Sequence, residues 1–333
     1  MKYLRSALII LLFATLATAQ SHLYKQVAKF EIGGEGGWDY ITYDGNSNRL
    51  FVAHSMEITV VDEPSGKKIG SVRANGAHGI ALVPAKGLGF STNGRAGTVT
   101  VFDLKTLQPK AEIKAGENPD AIIYDHYSGK VIVMNGRSKD LMAIDPDTLK
   151  VVATVPLGGE LEFAAADQSH IYVNVEDTGE IATVDSKTWK TDKRWKLTGC
   201  EEPSGLAIDE KTHRLFSVCG NRKMMVVDTN SGQIIATLET GAGTDGAAFD
   251  PELGYAFASN GGDGTLTVVK ASGGKYSVAD NVPTQRGART LTVDARSHKV
   301  YLPTAEFGPP AEGQTRPSIK PGTFVVLVYA SSK

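Results

Sequence analysis

The chain has 333 residues, with 35 Lys plus Arg against 37 Asp plus Glu and a formal net charge of −2. That near balance, without a basic stripe, argues against nucleic acid as a partner. The length is more than one ordinary core organises, so the apolar residues must be shared among several packed units.

The first element reads as a leader. Lys2 and Arg5 precede an apolar run at residues 7–16, and Ala17-Thr-Ala19 fits a small-x-small cleavage site. A run of about ten residues is short for a bilayer span. The expectation is a signal peptide over residues 1–19, a mature domain over 20–333, and a periplasmic or secreted protein with no membrane span after cleavage. Without Lys2 and Arg5 the formal charge moves from −2 to −4.

A strand-like run at residues 26–32 follows, and no repeat partner precedes or follows it directly. Then one pattern recurs seven times: a polar residue, a short apolar strand and, in six copies, a closing Asp. The copies open at Asp39, His78, Asp120, Glu162, Ser204, Asp245 and Arg289, spaced 39, 42, 42, 42, 41 and 44 residues apart. Such a period, with several strands per copy, predicts an all-β, seven-bladed β-propeller. In the third copy four strands fall at residues 121–124, 130–134, 141–144 and 150–156. We call them a to d from the inside outward. The a–b turns are rich in Asp, Gly and Ser, and the c–d turns follow a repeated Asp, as at Asp62, Asp103, Asp145, Asp185 and Asp228. The seventh copy ends after a strand at 324–329 and lacks strand d. The run at 26–32 therefore completes the last blade and closes the ring, removing an open edge. The seventh copy also carries a Pro- and Gly-rich insertion at residues 306–322, expected to be a loop and a lid over a binding site.

Strand Ile171-Tyr-Val-Asn174, with looser versions at Leu50-Phe-Val-Ala-His54 and Val300-Tyr-Leu-Pro-Thr304, resembles the YVTN-type, YncE-like propeller repeat. The resemblance covers almost all of the mature chain. It implies the propeller architecture and an exported protein, and leaves the activity open. Seven-bladed lactonases look similar at this level.

Propeller topology sorts the polar residues by face. Starts of strand a and ends of strand b share the upper mouth of the central channel. The strand-b ends, fifteen residues on in six copies, are His54, Asn93, Asn135, Cys219, Asn260 and Thr304, and the shorter fourth copy gives Val175. The expected ligand-binding ring is Asp39, His54, His78, Asn93, Asp120, Asn135, Glu162, Asp245, Asn260 and Arg289. Its carboxylates repel one another unless a cation or an Arg compensates. A divalent metal ion held by Asp39, His78, Asp120, Glu162 and Asp245 is therefore a candidate cofactor. Asn93-Gly94, Asn135-Gly136 and Asn260-Gly261 also read as tight hairpin turns. His126, His170, His213 and His298 fall on the lower face as turn residues. Cys200 and Cys219 share the upper face, close enough for a disulfide. Trp38 and Phe307 are candidate apolar contacts to a ligand, or packing residues, while Trp189 and Trp195 look peripheral. The expected partner is a small molecule, a metal or a protein at the mouth of a monomer. The alternatives are a lactonase-like, metal-dependent hydrolase with His54 or His78 as base, and a protein-interaction scaffold.

Overall fold

The computed structural model describes residues 21–310, 313, 315 and 317–332. The expected leader lies outside the described residues. The described chain is all-β, and seven four-stranded antiparallel sheets form the blades of a propeller. Blade 1 runs Trp38–Asp44, Arg49–His54, Glu57–Asp62 and Lys67–Arg73. Blade 3 runs Pro119–Asp125, Lys130–Asn135, Asp140–Asp145 and Lys150–Pro156, within two residues of the spans read from the repeat.

Blade 7 closes the ring as expected. Its order from the outside inward is Tyr24–Glu31, Val325–Ser331, Lys299–Thr304 and Thr292–Asp294. Tyr24 pairs with Ser331 and Glu31 with Val325. Tyr24 is fully buried and meets Tyr255 and Phe257 of blade 6 edge-on, with ring centroids 6.4 and 5.2 Å apart.

Strands b and c are buried along nearly their whole length because each blade stacks on both neighbours, whereas strand d buries little more than one residue, such as Val72, Val155 or Trp195. Trp195 is thus a core residue, stacked on Tyr172 at 5.8 Å. The apolar residues form seven separate clusters, one in each seam between adjacent blades. Dividing the core this way lets a long chain bury its apolar surface without one oversized interior.

The repeated turn Asp has a local cause. The Asp103 carboxylate accepts the backbone N–H groups of Lys105 and Thr106, and Asp145, Asp185 and Asp228 do the same two and three residues on.

At the three Asn-Gly sites the b–c connections are not two-residue hairpins. Four residues separate the strands, and the turn is closed from Gly97 N–H to the Asn93 carbonyl (2.9 Å), with equivalents at Lys139 to Asn135 and Gly264 to Asn260. The left-handed residue is the fourth of the turn, Gly97 (φ 65°), Lys139 (φ 59°) or Gly264 (φ 66°), rather than the glycine after Asn.

The seventh-blade insertion is not wholly loop either. Phe307–Pro310 and Pro317–Ile319 form a two-stranded ribbon. Phe307 packs against Trp38, 6.0 Å between ring centroids, and Trp38 against Phe324 at 5.9 Å. The ribbon is thus seated on the seam between blades 7 and 1, and Trp38 is a packing residue.

Candidate functional site at the upper mouth

Strand a is irregular at the point where it meets the mouth. In blades 1 to 6 its pairing with strand b slips after the first residue, between Trp38 and Ile41, Ala77 and Ile80, Pro119 and Ile122, Leu161 and Ala164, Pro203 and Leu206, and Thr244 and Gly246. Blade 7 starts its strand a only at Thr292, after Arg289. A bulge frees the intervening residues from the ladder and re-aims their side chains. Those residues carry the mouth charges. Their backbones are tied to the preceding blade by polar residues next to the end of strand b. Thr92 donates to the Asp120 carbonyl, Asn174 to that of Ser204 (2.7 Å), and Ser259 to that of Arg289. Close approach of neighbouring inner strands also requires glycine: a Cβ on Gly79 would lie 2.8 Å from the Asp120 carbonyl oxygen.

The result is one connected charge cluster. His78 Nδ1 lies 2.6 Å from Asp39 Oδ2 and 3.6 Å from Asp120 Oδ1. Arg289 bridges Asp39, at 3.0 Å, and Asp245. Its Nη2 also donates to the Trp38 carbonyl at 3.1 Å. One ligand atom from each of Asp39, His78 and Asp120 lies within 4.8 Å of the others. Glu162 and Asp245 complete the acidic wall, and Ser204 is its neutral member.

Four carboxylates share one arginine and one histidine, and their proton affinities diverge accordingly. Burial works against the charge on Asp39, but Arg289 and His78 outweigh it and hold that carboxyl below its ordinary value. Asp120 is pushed up to about 7, by burial first and then by the charge of Asp39. Glu162 is raised well above the usual carboxylate range by burial and by Asp120. Asp245 is raised by burial in spite of Arg289. His78 is raised, chiefly by its hydrogen bond to Asp39. The cluster holds more carboxylate than its fixed cations neutralise, so it takes up protons or a cation.

Two residues that the repeat alone did not single out form the floor. Tyr40 and Phe163 occupy the second position of the strand-a bulge in blades 1 and 4, across the channel from one another, and their rings meet at 5.2 Å. The Tyr40 phenol is raised well above its ordinary value by burial and by Glu162. Below them a cavity of about 700 Å³ opens to the lower face, lined mostly by apolar residues such as Ile41, Ile80, Ile122, Phe163 and Leu291. None of the mouth charges lines it.

The strand-b ends lie at the height of the mouth but outside the charge cluster. Asn93, Asn135 and Asn260 are buried and span the b–c hairpin instead. Asn93 Nδ2 donates to Thr98 and Thr100, Asn135 Nδ2 to Asp140, and Asn260 Nδ2 to Thr265 and Thr267. Thr304 donates to the Arg286 carbonyl at 2.8 Å, and Val175 is core. His54 is buried, with its ring stacked on Phe324 at 4.0 Å, and burial holds its pKa below the ordinary value. Cys219 is bonded to Cys200, with Cα atoms 5.4 Å apart, which ties the loop entering blade 5 to the end of its strand b. No hydrogen bond or ion pair joins the described residues of the 306–322 insertion to the charge cluster. The lower-face histidines stay in or beside turns: His298 meets Asp250 at 2.8 Å, His170 meets Asp192 at 3.3 Å, and His126 and His213 are exposed.

Comparison with known proteins adds a family. Residues 45–250 match the family described as the cytochrome D1 heme domain. Two relatives, each described as uncharacterized protein YncE, come from Salmonella typhimurium (strain LT2) and Salmonella typhi. Each is 23% identical over 237 residues, covering 66% of this chain and 66% of the relative. The match thus spans just under two thirds of their length. Among solved structures, a chain of Kuenenia stuttgartiensis hydrazine synthase superposes with a TM-score of 0.67 at 17% identity, over 87% of this chain and 95% of that one. At that identity the likeness concerns the fold alone.

Proposed function

The chain belongs to the cytochrome D1 heme domain family, and from that footing we propose that it is an exported, YncE-like propeller that binds a divalent cation at its upper mouth. The observation that carries the reading is the convergence of Asp39, His78 and Asp120 within 4.8 Å, backed by Glu162 and Asp245. One imidazole with several carboxylate oxygens suits hard to borderline ions such as Mn²⁺ or Zn²⁺. The raised proton affinities of Asp120 and Glu162 support it, since a bound cation would supply the positive charge the wall lacks. The Cys200–Cys219 bond supports an oxidising compartment.

The heme of the family's name does not fit this donor set. Heme iron takes an axial His, Cys, Met or Tyr. At this mouth the Nδ1 bond to Asp39 leaves His78 only its Nε2 edge, which lies against Gly94, and the Tyr40 ring is packed on Phe163. The surrounding carboxylates would repel the acid side chains that a heme carries.

The test is a thermal-shift titration with Mn²⁺, Zn²⁺ and Ca²⁺ on EDTA-stripped protein, together with metal analysis before stripping. At about 100 times the Kd a cation stabilises by about 2.7 kcal/mol. Asp39→Asn with Asp120→Asn should abolish the shift, and His126→Ala with His213→Ala should keep it. No shift with any of the three ions, or a shift that survives in the mouth variant, would overturn the reading.

A further inference from the structure

A second site lies beside the mouth and has the opposite character. On the upper face, a cleft of about 860 Å³ runs between blades 2 and 3, bounded by the b–c turns of both blades and by the loop joining them. That size is in the range of small-molecule sites. Three cations line it: Arg95, Lys114 and Arg137. Several other cations on this face are engaged, Lys139 with Asp177 at 3.1 Å, Arg194 with Glu180 at 2.7 Å, and Lys320 with Glu306 at 3.1 Å. Arg95, Lys114 and Arg137 have no ion-pair or side-chain hydrogen-bond partner among the described residues. Glu117 is the single acid on the lining. Three unpaired like charges around one concavity raise each other's energy, and an anion relieves that.

The inner wall is shaped as well as charged. Asn118 holds a left-handed backbone (φ 51°). A Cβ on Gly94 would fall 2.7 Å from His78 Nε2 and 3.0 Å from Asn118 Oδ1. Glycine at 94 therefore leaves room for the Nε2 edge of His78 and the Asn118 amide to reach the inner end of the cleft. His78 shows its Nδ1 to Asp39 in the channel and its other edge to the cleft.

We propose that the cleft between blades 2 and 3 binds a small, multiply charged oxyanion, a polycarboxylate or phosphate-bearing molecule, gripped by Arg95, Lys114 and Arg137. Guanidinium groups match carboxylate and phosphate oxygens two at a time, which sets such a ligand apart from chloride. The site goes beyond the cation reading and stands without it, because its three gripping residues lie outside the channel.

The test uses the whole mature protein, stripped with EDTA and then dialysed free of it, at fixed ionic strength set with sodium chloride. Citrate and inorganic phosphate are titrated by calorimetry and thermal shift. At about 100 times the Kd the melting temperature should rise by about 4 °C. Arg95→Ser with Arg137→Ser should weaken binding about tenfold or more while melting like the parent in chloride alone. Lys105→Ser with Lys187→Ser, on the lower face, should bind like the parent. Asp39→Asn with Asp120→Asn should keep the anion response even if it loses a cation response, which separates the two sites. Three results would overturn the proposal: no heat or shift with either anion up to about 10 mM, an undiminished response in the Arg95 and Arg137 variant, or binding to phosphatidylglycerol vesicles without binding to the free anions.

Discussion

Ring closure by the N-terminal strand can be tested at a single side chain. Tyr24 is fully buried between blades 7 and 6, edge-on to Tyr255 and Phe257. Truncating a buried aromatic to Ala costs about 3–5 kcal/mol. Roughly 300 ordered residues at about 2.1 cal/mol/K each give an unfolding entropy near 0.6 kcal/mol/K, so 1 kcal/mol moves the melting temperature by about 1.5 °C. Tyr24→Ala should therefore melt about 5–8 °C below the parent by differential scanning calorimetry. Tyr24→Phe should behave in the opposite way. The Tyr24 hydroxyl is buried without a hydrogen-bond partner. An unsatisfied buried hydroxyl costs about 1–3 kcal/mol, so removing it should leave melting unchanged or raise it by up to about 4 °C. If Tyr24→Ala melts within about 2 °C of the parent, the strand does not close the ring in solution. A large loss in Tyr24→Phe alone would mean that the hydroxyl has a partner and the packing described is wrong.

Two further outcomes follow from the mouth and its surroundings. Asp120 is raised from 3.8 to about 7 in the folded chain, so its stabilising contribution is full below about pH 4 and is lost as pH rises through about 7. About three pH units at about 1.4 kcal/mol each set a ceiling near 4 kcal/mol, which solvent screening at the open mouth reduces to about 2. In urea titrations with EDTA, Asp120→Asn should gain on the parent by about 2 kcal/mol between pH 4 and pH 8, whereas a difference that stays constant with pH would contradict the assignment. Asn260 accepts from Thr244 at 2.6 Å and donates to Thr265 and Thr267. Asn260→Ala should cost about 2–3 kcal/mol, through the buried partners left unpaired, without altering the cation shift. A normal melting curve with a lost shift would return that residue to the binding site.

The repeat made the large-scale design legible. Seven evenly spaced apolar runs announced seven blades, and the missing last strand announced closure by residues before the first copy. It also placed Asp39, His78, Asp120, Glu162, Asp245 and Arg289 together, because a residue at the same step of each strand a must stand at the same height. Height is not direction. Asn93, Asn135 and Asn260 stand at the mouth but turn toward strand c, where Asn93 and Asn260 meet threonine hydroxyls and Asn135 the Asp140 carboxylate. A fifteen-residue spacing carries no record of that turn. The slip in strand a, which frees the mouth residues, has no residue signature of its own. Tyr40 and Phe163 looked like ordinary members of apolar runs for that reason. A usable signal did exist in strand b, where blades 2, 4 and 6 carry Thr92, Asn174 and Ser259 one step before the strand ends and the other blades carry Ala53, Met134, Val218 and Pro303.

The meeting of Tyr40 and Phe163 sets a pair of aromatic rings across the axis of the propeller. Above it the axis is acidic and below it largely apolar, so the two ends present unlike surroundings to whatever approaches them. Passage from one face to the other would require those rings to part.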